Sequence, residues 1–135
     1  MDLTFITGTA LFQGIREEEL RLLLPCLQAR EHMYQREEII LSAGNTVADI
    51  GLVLSGSVNI VLNFYWGSSH ILGRVDQGSI FAENYAAIQG QELLCDVVAA
   101  EDTSVLFLNM NRLMTNEVSI AWPKALSARL YFPAP

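Results

Sequence analysis

Gly78-Ser-Ile-Phe-Ala-Glu-Asn-Tyr85, running on through Leu93-Leu94 to Cys95-Asp-Val-Val-Ala99, is the stretch on which the reading of this chain turns. The glycine supplies a turn conformation that costs other residues more. A short helix after such a turn presents unpaired backbone N–H groups, which are a natural seat for a small ligand. The β-branched run at Val97 and Val98 then closes the segment as a strand. This order predicts a ligand cradle set between strands. Its cargo is constrained by what is missing, because no Arg or Lys occurs between Arg74 and Arg112.

Outward from the cradle, short β-like runs fill most of the chain. They cover Arg30 to Tyr34, Glu38 to Leu41, Ile50 to Leu54, Ser57 to Phe64, His70 to Val75, Asp96 to Ala100 and Ser104 to Leu108. Gly44-Asn45, Ser55-Gly56, Trp66-Gly67-Ser68-Ser69 and Gln77-Gly78 punctuate them with turn residues. Many short strands at regular turn spacing favour a jelly roll, so the expected fold class is mainly β, a double-stranded β-helix with short flanking helices. Val58, Ile60, Leu62 and Phe64 alternate with Asn59 and Asn63, which points one side of that strand inward, and Val61 breaks the pattern. Ahead of the strands, acids followed by Leu20, Leu23, Leu24 and Leu27 predict a helix from Arg16 to Leu27, with Pro25 marking its end.

Composition bounds the function. The 135 residues suit one domain, and a hydrophobic share of 51% is enough for a substantial core. No apolar run approaches the length of a membrane span, and the N-terminus lacks a secretory pattern, so a cytoplasmic location is expected. The net charge of −7, with scattered basic residues, argues against direct nucleic-acid binding. Cys26 and Cys95 fall in different predicted elements and read as ordinary thiols. His32 and His70 are the only histidines and sit in different strands, so neither a metal site nor another cofactor is expected. Ser55-Gly-Ser57 is a hairpin turn rather than a strand-to-helix nucleophile elbow, and no catalytic residue is assigned.

The order of these parts resembles the sensor domain of the Crp/Fnr transcription regulators, the cyclic-nucleotide-binding fold, from about Leu11 to Met114. The landmarks are Ala43-Gly44, Leu54-Ser-Gly-Ser-Val58, the Tyr65-Trp66-Gly67 hairpin tip, Gln77-Gly-Ser-Ile-Phe-Ala-Glu83, Val97-Val-Ala-Ala-Glu-Asp102 and Val105-Leu-Phe-Leu108. The resemblance implies a cassette in which a Glu accepts a ribose hydroxyl and an Arg pairs with the cyclic phosphate. The Glu falls on Glu83, the family's preceding Gly is Ala82 here, and the Arg position falls on or beside Leu93. Leucine cannot replace a bidentate guanidinium, whose charge-assisted contact is worth about 1.5–3 kcal/mol. Glu83, Glu92 and Asp96 are expected to add negative potential there, so cyclic AMP and cyclic GMP are not expected as ligands.

The candidate pocket therefore comprises Ile60, Leu62, Leu72, Val75, Phe81, Leu93 and Leu94 as apolar lining. Ala82, Glu83, Asn84, Tyr85 and Cys95 complete it. That mixture suits an uncharged or weakly polar effector; a filled barrel core is the competing reading of the same residues.

Residues 1–116 are read as the sensor domain and 117–135 as a divergent tail, in which Met110 to Asn116 suits a short helix and Pro123 interrupts any long one. Trp122, Leu126, Leu130 and Tyr131 are expected to pack on the barrel. The expected function is an effector-sensing regulatory module without its own DNA-binding part, acting as a homodimer or by pairing with a full-length relative. A natural stand-alone sensor, a truncated gene product and a cut expression product remain alternatives. The other functional readings are a cupin-like small-molecule enzyme and a purely structural oligomerisation domain.

Overall fold

A computed structural model describes residues 3–82 and 90–109 of the chain. Helices α1 (Leu3–Thr7) and α2 (Glu17–Cys26) precede eight strands. These are β1 (Arg30–Tyr34), β2 (Ile39–Leu41), β3 (Asp49–Ser55), β4 (Ser57–Asn63), β5 (Ser69–Asp76), β6 (Ile80–Phe81), β7 (Asp96–Ala99) and β8 (Thr103–Asn109). The expected mainly β architecture is what the chain adopts: two four-stranded antiparallel sheets, in the orders β1-β8-β3-β6 and β2-β7-β4-β5.

The predicted helix forms because three acids occupy the first turn of α2, where they complement the helix dipole. Glu19 also accepts hydrogen bonds from the backbone N–H of Arg16 at 3.2 Å and from its guanidinium at 3.1 Å. These contacts hold the Glu19 carboxyl below its usual range, the Arg16 side-chain bond contributing most. Pro25 sits in the last turn, and the helix stops one residue later. The buried stripe of Leu20, Leu23 and Leu24, with Leu27 beyond it, packs on Ile50, Leu52, Leu106 and Leu108. Full burial of each such side chain is worth about 1.5–3 kcal/mol.

Alternation along the first sheet gives it two covered faces. Leu106 and Leu108 face the helices, whereas Val105 and Phe107 join Val53, Val58, Phe81 and Val97 in a second cluster between the sheets. The molecule is thus layered as helices, first sheet, second sheet. Tyr34 lies at the margin of the inner cluster, where burial raises its phenol above the ordinary range and the Glu38 carboxylate adds to the effect.

Two elements escaped the sequence reading. Helix α1 is five residues long with no acid in its first turn, so it carries no start signal, yet Ile6 is fully buried. Strand β6 has only two residues, pairing Gly51 with Phe81 and Leu52 with Ile80. It exists because Gly51 has no side chain: a Cβ there would lie 2.2 Å from the Phe81 ring.

Candidate functional site

The cradle begins where β5 passes into β6 across the gap between the sheets. Gly78, at φ +89°, donates its N–H to Val53 O at 2.8 Å, and Val53 N–H reaches Ser79 O at 3.0 Å. The Gln77 side-chain amide donates to Leu54 O at 3.0 Å. These bonds clamp the turn to β3, and the buried Phe81 ring then fixes the segment's direction against Phe107. Ala82 follows at φ +65°, a left-handed conformation that normally favours glycine. The position to which the resemblance assigns a glycine thus keeps a glycine-like backbone while carrying a methyl group.

Glu83, Asn84 and Tyr85 lie outside the described residues, as do the expected helix over 110–116 and the tail over 117–135. The chain is described again from Gly90. Leu93 is held by a short ladder: its N–H donates to Asn45 O at 2.9 Å, and Gly44 N–H donates to Leu93 O at 2.8 Å. An isolated bridge between Thr46 and Glu92 extends it. The Leu93 side chain is 4% exposed, so a buried apolar group occupies the place that the resemblance assigns to a phosphate-binding guanidinium.

The remaining pocket residues divide. Ile60, Val75 and Ala82 pack against the inner cluster, of which Phe81 is a member. Leu62 and Cys95 are half-buried. Leu72 departs from the expected apolar lining and is 59% exposed. The β4–β5 register steps from Ile60–Gly73 to Val61–Ile71, so Leu72 is the extra residue of a bulge and leaves the inward alternation. Leu94 is also on the surface, at 68% exposure, its buried neighbour Leu93 having taken the inward position.

Asp96 also requires a correction. The sequence reading placed its charge at the anion's seat, but its carboxylate accepts from Ala43 N–H at 2.7 Å and from the Asn63 amide at 2.6 Å. Asn63 Oδ1 in turn accepts from the Ser69 hydroxyl at 2.6 Å. Asp96 is paired with Val61 on the face away from Ile60 and Val97, where it ties β7 to β4 and to the loop after β2. Arg74 lies on that same outer face, opposite Asn59, and is engaged by Asp76 at 2.9 Å and Glu101 at 3.5 Å. It is therefore not a substitute anchor for an anion in the cradle.

Among the described residues, no group of three or more His, Cys, Asp or Glu side chains is placed to hold a metal. His32 packs edge-on against Phe107 at 5.7 Å, far in the topology from His70 on β5. No helix of the described residues is long and apolar enough to cross a membrane.

With this geometry in place, comparison with known proteins is informative. The family model described as the cyclic nucleotide-binding domain matches residues 31–115. No curated protein matches the chain. Among solved structures, the Thermus thermophilus catabolite activator protein shares 24% identity at a TM-score of 0.70, over 90% of this chain and 54% of that one. This chain therefore spans about half the length of that protein. The N-terminal domain of a transcriptional regulator from Streptomyces coelicolor A3(2) shares 18% identity at 0.72, over 94% and 90% of the two chains. The regulatory subunit of a cAMP-independent protein kinase A from Trypanosoma cruzi, bound to guanosine, shares 16% identity at 0.71, over 98% of this chain and 44% of that one. At these identities each likeness is one of fold.

Proposed function

Because the chain belongs to the cyclic nucleotide-binding domain family, we propose that it is an effector-sensing module of the Crp/Fnr type whose effector carries no phosphate. The observation that carries this reading is Leu93, buried and backbone-anchored where a phosphate would need a guanidinium. A cyclic phosphate brought against it would lose its water without gaining a charged partner, at a cost of several kcal/mol. Arg74 supports the same conclusion, since it is occupied on the opposite face by Asp76 and Glu101. The guanosine-bound trypanosomal subunit supports it independently, as a protein of this fold holding a nucleoside without phosphate.

The domain's output is regulatory and non-catalytic, and it belongs to transcription control. With a net charge of −7, these 135 residues are a poor surface for DNA, and their signal is passed on through contact with another protein surface. The test is a thermal-shift panel on the purified protein with cyclic AMP, cyclic GMP, nucleosides and aromatic acids. Saturable stabilisation by a phosphate-free compound is expected. Large saturable stabilisation by either cyclic nucleotide would overturn the reading.

A further inference from the structure

The first sheet ends in a groove that the cradle does not use. Strands β1, β3 and β8 stop together here, since Tyr34 pairs with Thr103 and Ser55 with Ser104. Between these strand ends and the neighbouring turns lies a groove of about 390 Å³, lined by Met33, Tyr34, Gln35, Ser55, Asp102 and Thr103. It is remote from the points where the described chain breaks. The chain leaves at Ala82 and Asn109, beside the start of β3, and rejoins at Gly90, ahead of the first residue of β7. Those points lie at the opposite end of the sandwich, Thr103 and Asn109 being about 20 Å apart at the rise of a strand.

The walls of the groove are fixed by backbone bonds. Arg36 N–H donates to an Asp102 carboxylate oxygen at 3.1 Å and Glu37 N–H to Ala99 O at 2.8 Å, which fastens the β1–β2 turn to the end of β7 and the turn after it. Within the first turn, Gln35 N–H donates to Glu38 Oε1 at 3.1 Å and Glu38 N–H to Gln35 O at 3.0 Å. Thr103 is buried in the floor, its hydroxyl 2.7 Å from Glu101 O and 3.0 Å from Ser57 O. Against this frame Met33 is 82% exposed, although it stands on a strand. Methionine adapts to many shapes and is over-used at binding surfaces. Among the described residues Asp102 makes no second hydrogen bond and no ion pair, so one carboxylate oxygen is open. Residues 31–38 and 101–104, which meet here, hold five carboxylates, Glu31, Glu37, Glu38, Glu101 and Asp102, against one guanidinium, that of Arg36.

Resting on the reading that the domain passes its signal to another protein surface, we propose that this groove is the docking site for an arginine side chain of a partner protein. The aliphatic stem lies along Met33, and the guanidinium stacks on the Tyr34 ring and bonds the open oxygen of Asp102. A cation over an aromatic face is attracted by the ring's quadrupole. A planar guanidinium combines that stacking with a directed bond to a carboxylate, which an ammonium does less well. The five surrounding carboxylates steer a basic segment toward the groove, whereas a second copy of this chain, with its net charge of −7, is repelled. Arginine is also among the residues that most often anchor an interface.

The experiment titrates the full, isotopically labelled chain with N-acetyl-arginine amide, and in parallel with N-acetyl-citrulline amide, its uncharged analogue of the same shape, following amide and methyl chemical shifts by NMR. Saturable shifts of Met33, Tyr34 and Thr103 are expected with the arginine compound alone, at the millimolar affinity of a single side chain. Asp102→Asn keeps an acceptor for Arg36 N–H while removing the charge, and should weaken binding about tenfold. Met33→Ala should weaken it severalfold without moving the melting temperature, because that side chain is exposed. Equal shifts with the citrulline compound, shifts that ignore both substitutions, or no saturable shift at tens of millimolar would overturn the groove. Tighter binding of free L-arginine than of the amide would overturn it too, marking a site for the amino acid rather than for a partner's side chain. Each of these results leaves the sensor reading standing, since the thermal-shift panel decides that at the cradle.

Discussion

Replacing Gly51 by alanine tests how the fold delivers the cradle. The added Cβ would lie 2.2 Å from Phe81 Cζ, 2.5 Å from Cε1 and 2.7 Å from Cε2. Carbon atoms in contact prefer about 3.5–4.0 Å, so the ring would have to withdraw by more than about 1 Å. It has little room to do so, since Phe81 is buried and packs edge-on against Phe107 at 6.3 Å. Overpacking of this kind costs about 1–3 kcal/mol, and expulsion of the ring would forfeit its burial, about 1.5–3 kcal/mol. A loss of about 2–3 kcal/mol is expected, which for a domain of this size lowers the melting temperature by roughly 6–15 °C. The assay is thermal unfolding of Gly51→Ala, Phe81→Leu and the double variant. The two changes should couple by about 1 kcal/mol or more, the smaller side chain relieving part of the clash. A Gly51→Ala protein as stable as the wild type, or a double variant whose losses simply add, would refute the reasoning. Because β6 leads straight into Ala82, the same substitution should also weaken whatever effector stabilises the native protein.

Leu93→Arg should destabilise the unliganded protein by about 3–5 kcal/mol, as an unpaired charge placed at a buried site, and cyclic AMP should then raise its melting temperature while leaving the wild type unmoved. Asp96→Ala should cost about 1.5–3 kcal/mol in denaturant unfolding, by stripping the Ala43 N–H and the Asn63 amide of a charged acceptor. The same variant should leave effector affinity unchanged, because its carboxylate lies on the outer face of the sheet.

Much of this fold was legible in the sequence because its strands are short, alternating and separated by glycine turns. The Arg30 to Tyr34 run coincides with β1, and the predicted strands of the second sheet fall within a residue or so of β4, β5 and β7. What was illegible depended on partners distant in sequence. Strand β6 is two residues whose pairing needs the missing side chain of Gly51. The role of Asp96 is set by a donor 53 residues earlier in the chain, so its charge looked available when it was already spent. At the site, the resemblance put the guanidinium position on or beside Leu93, but the inward placement of that leucine came from the ladder with Gly44 and Asn45. The stacking of Phe64 on Trp66 at the hairpin tip was missed for a related reason. Tyr65-Trp66-Gly67 read only as a turn, and the approach of His70 to Phe64 follows from the register of β4 with β5.

The central claim is that this domain keeps the family's cradle without the means to hold a phosphate. Isothermal titration of the wild-type chain with cyclic AMP tests it most directly. The account predicts no saturable heat for cyclic AMP. A saturable isotherm for cyclic AMP would contradict it.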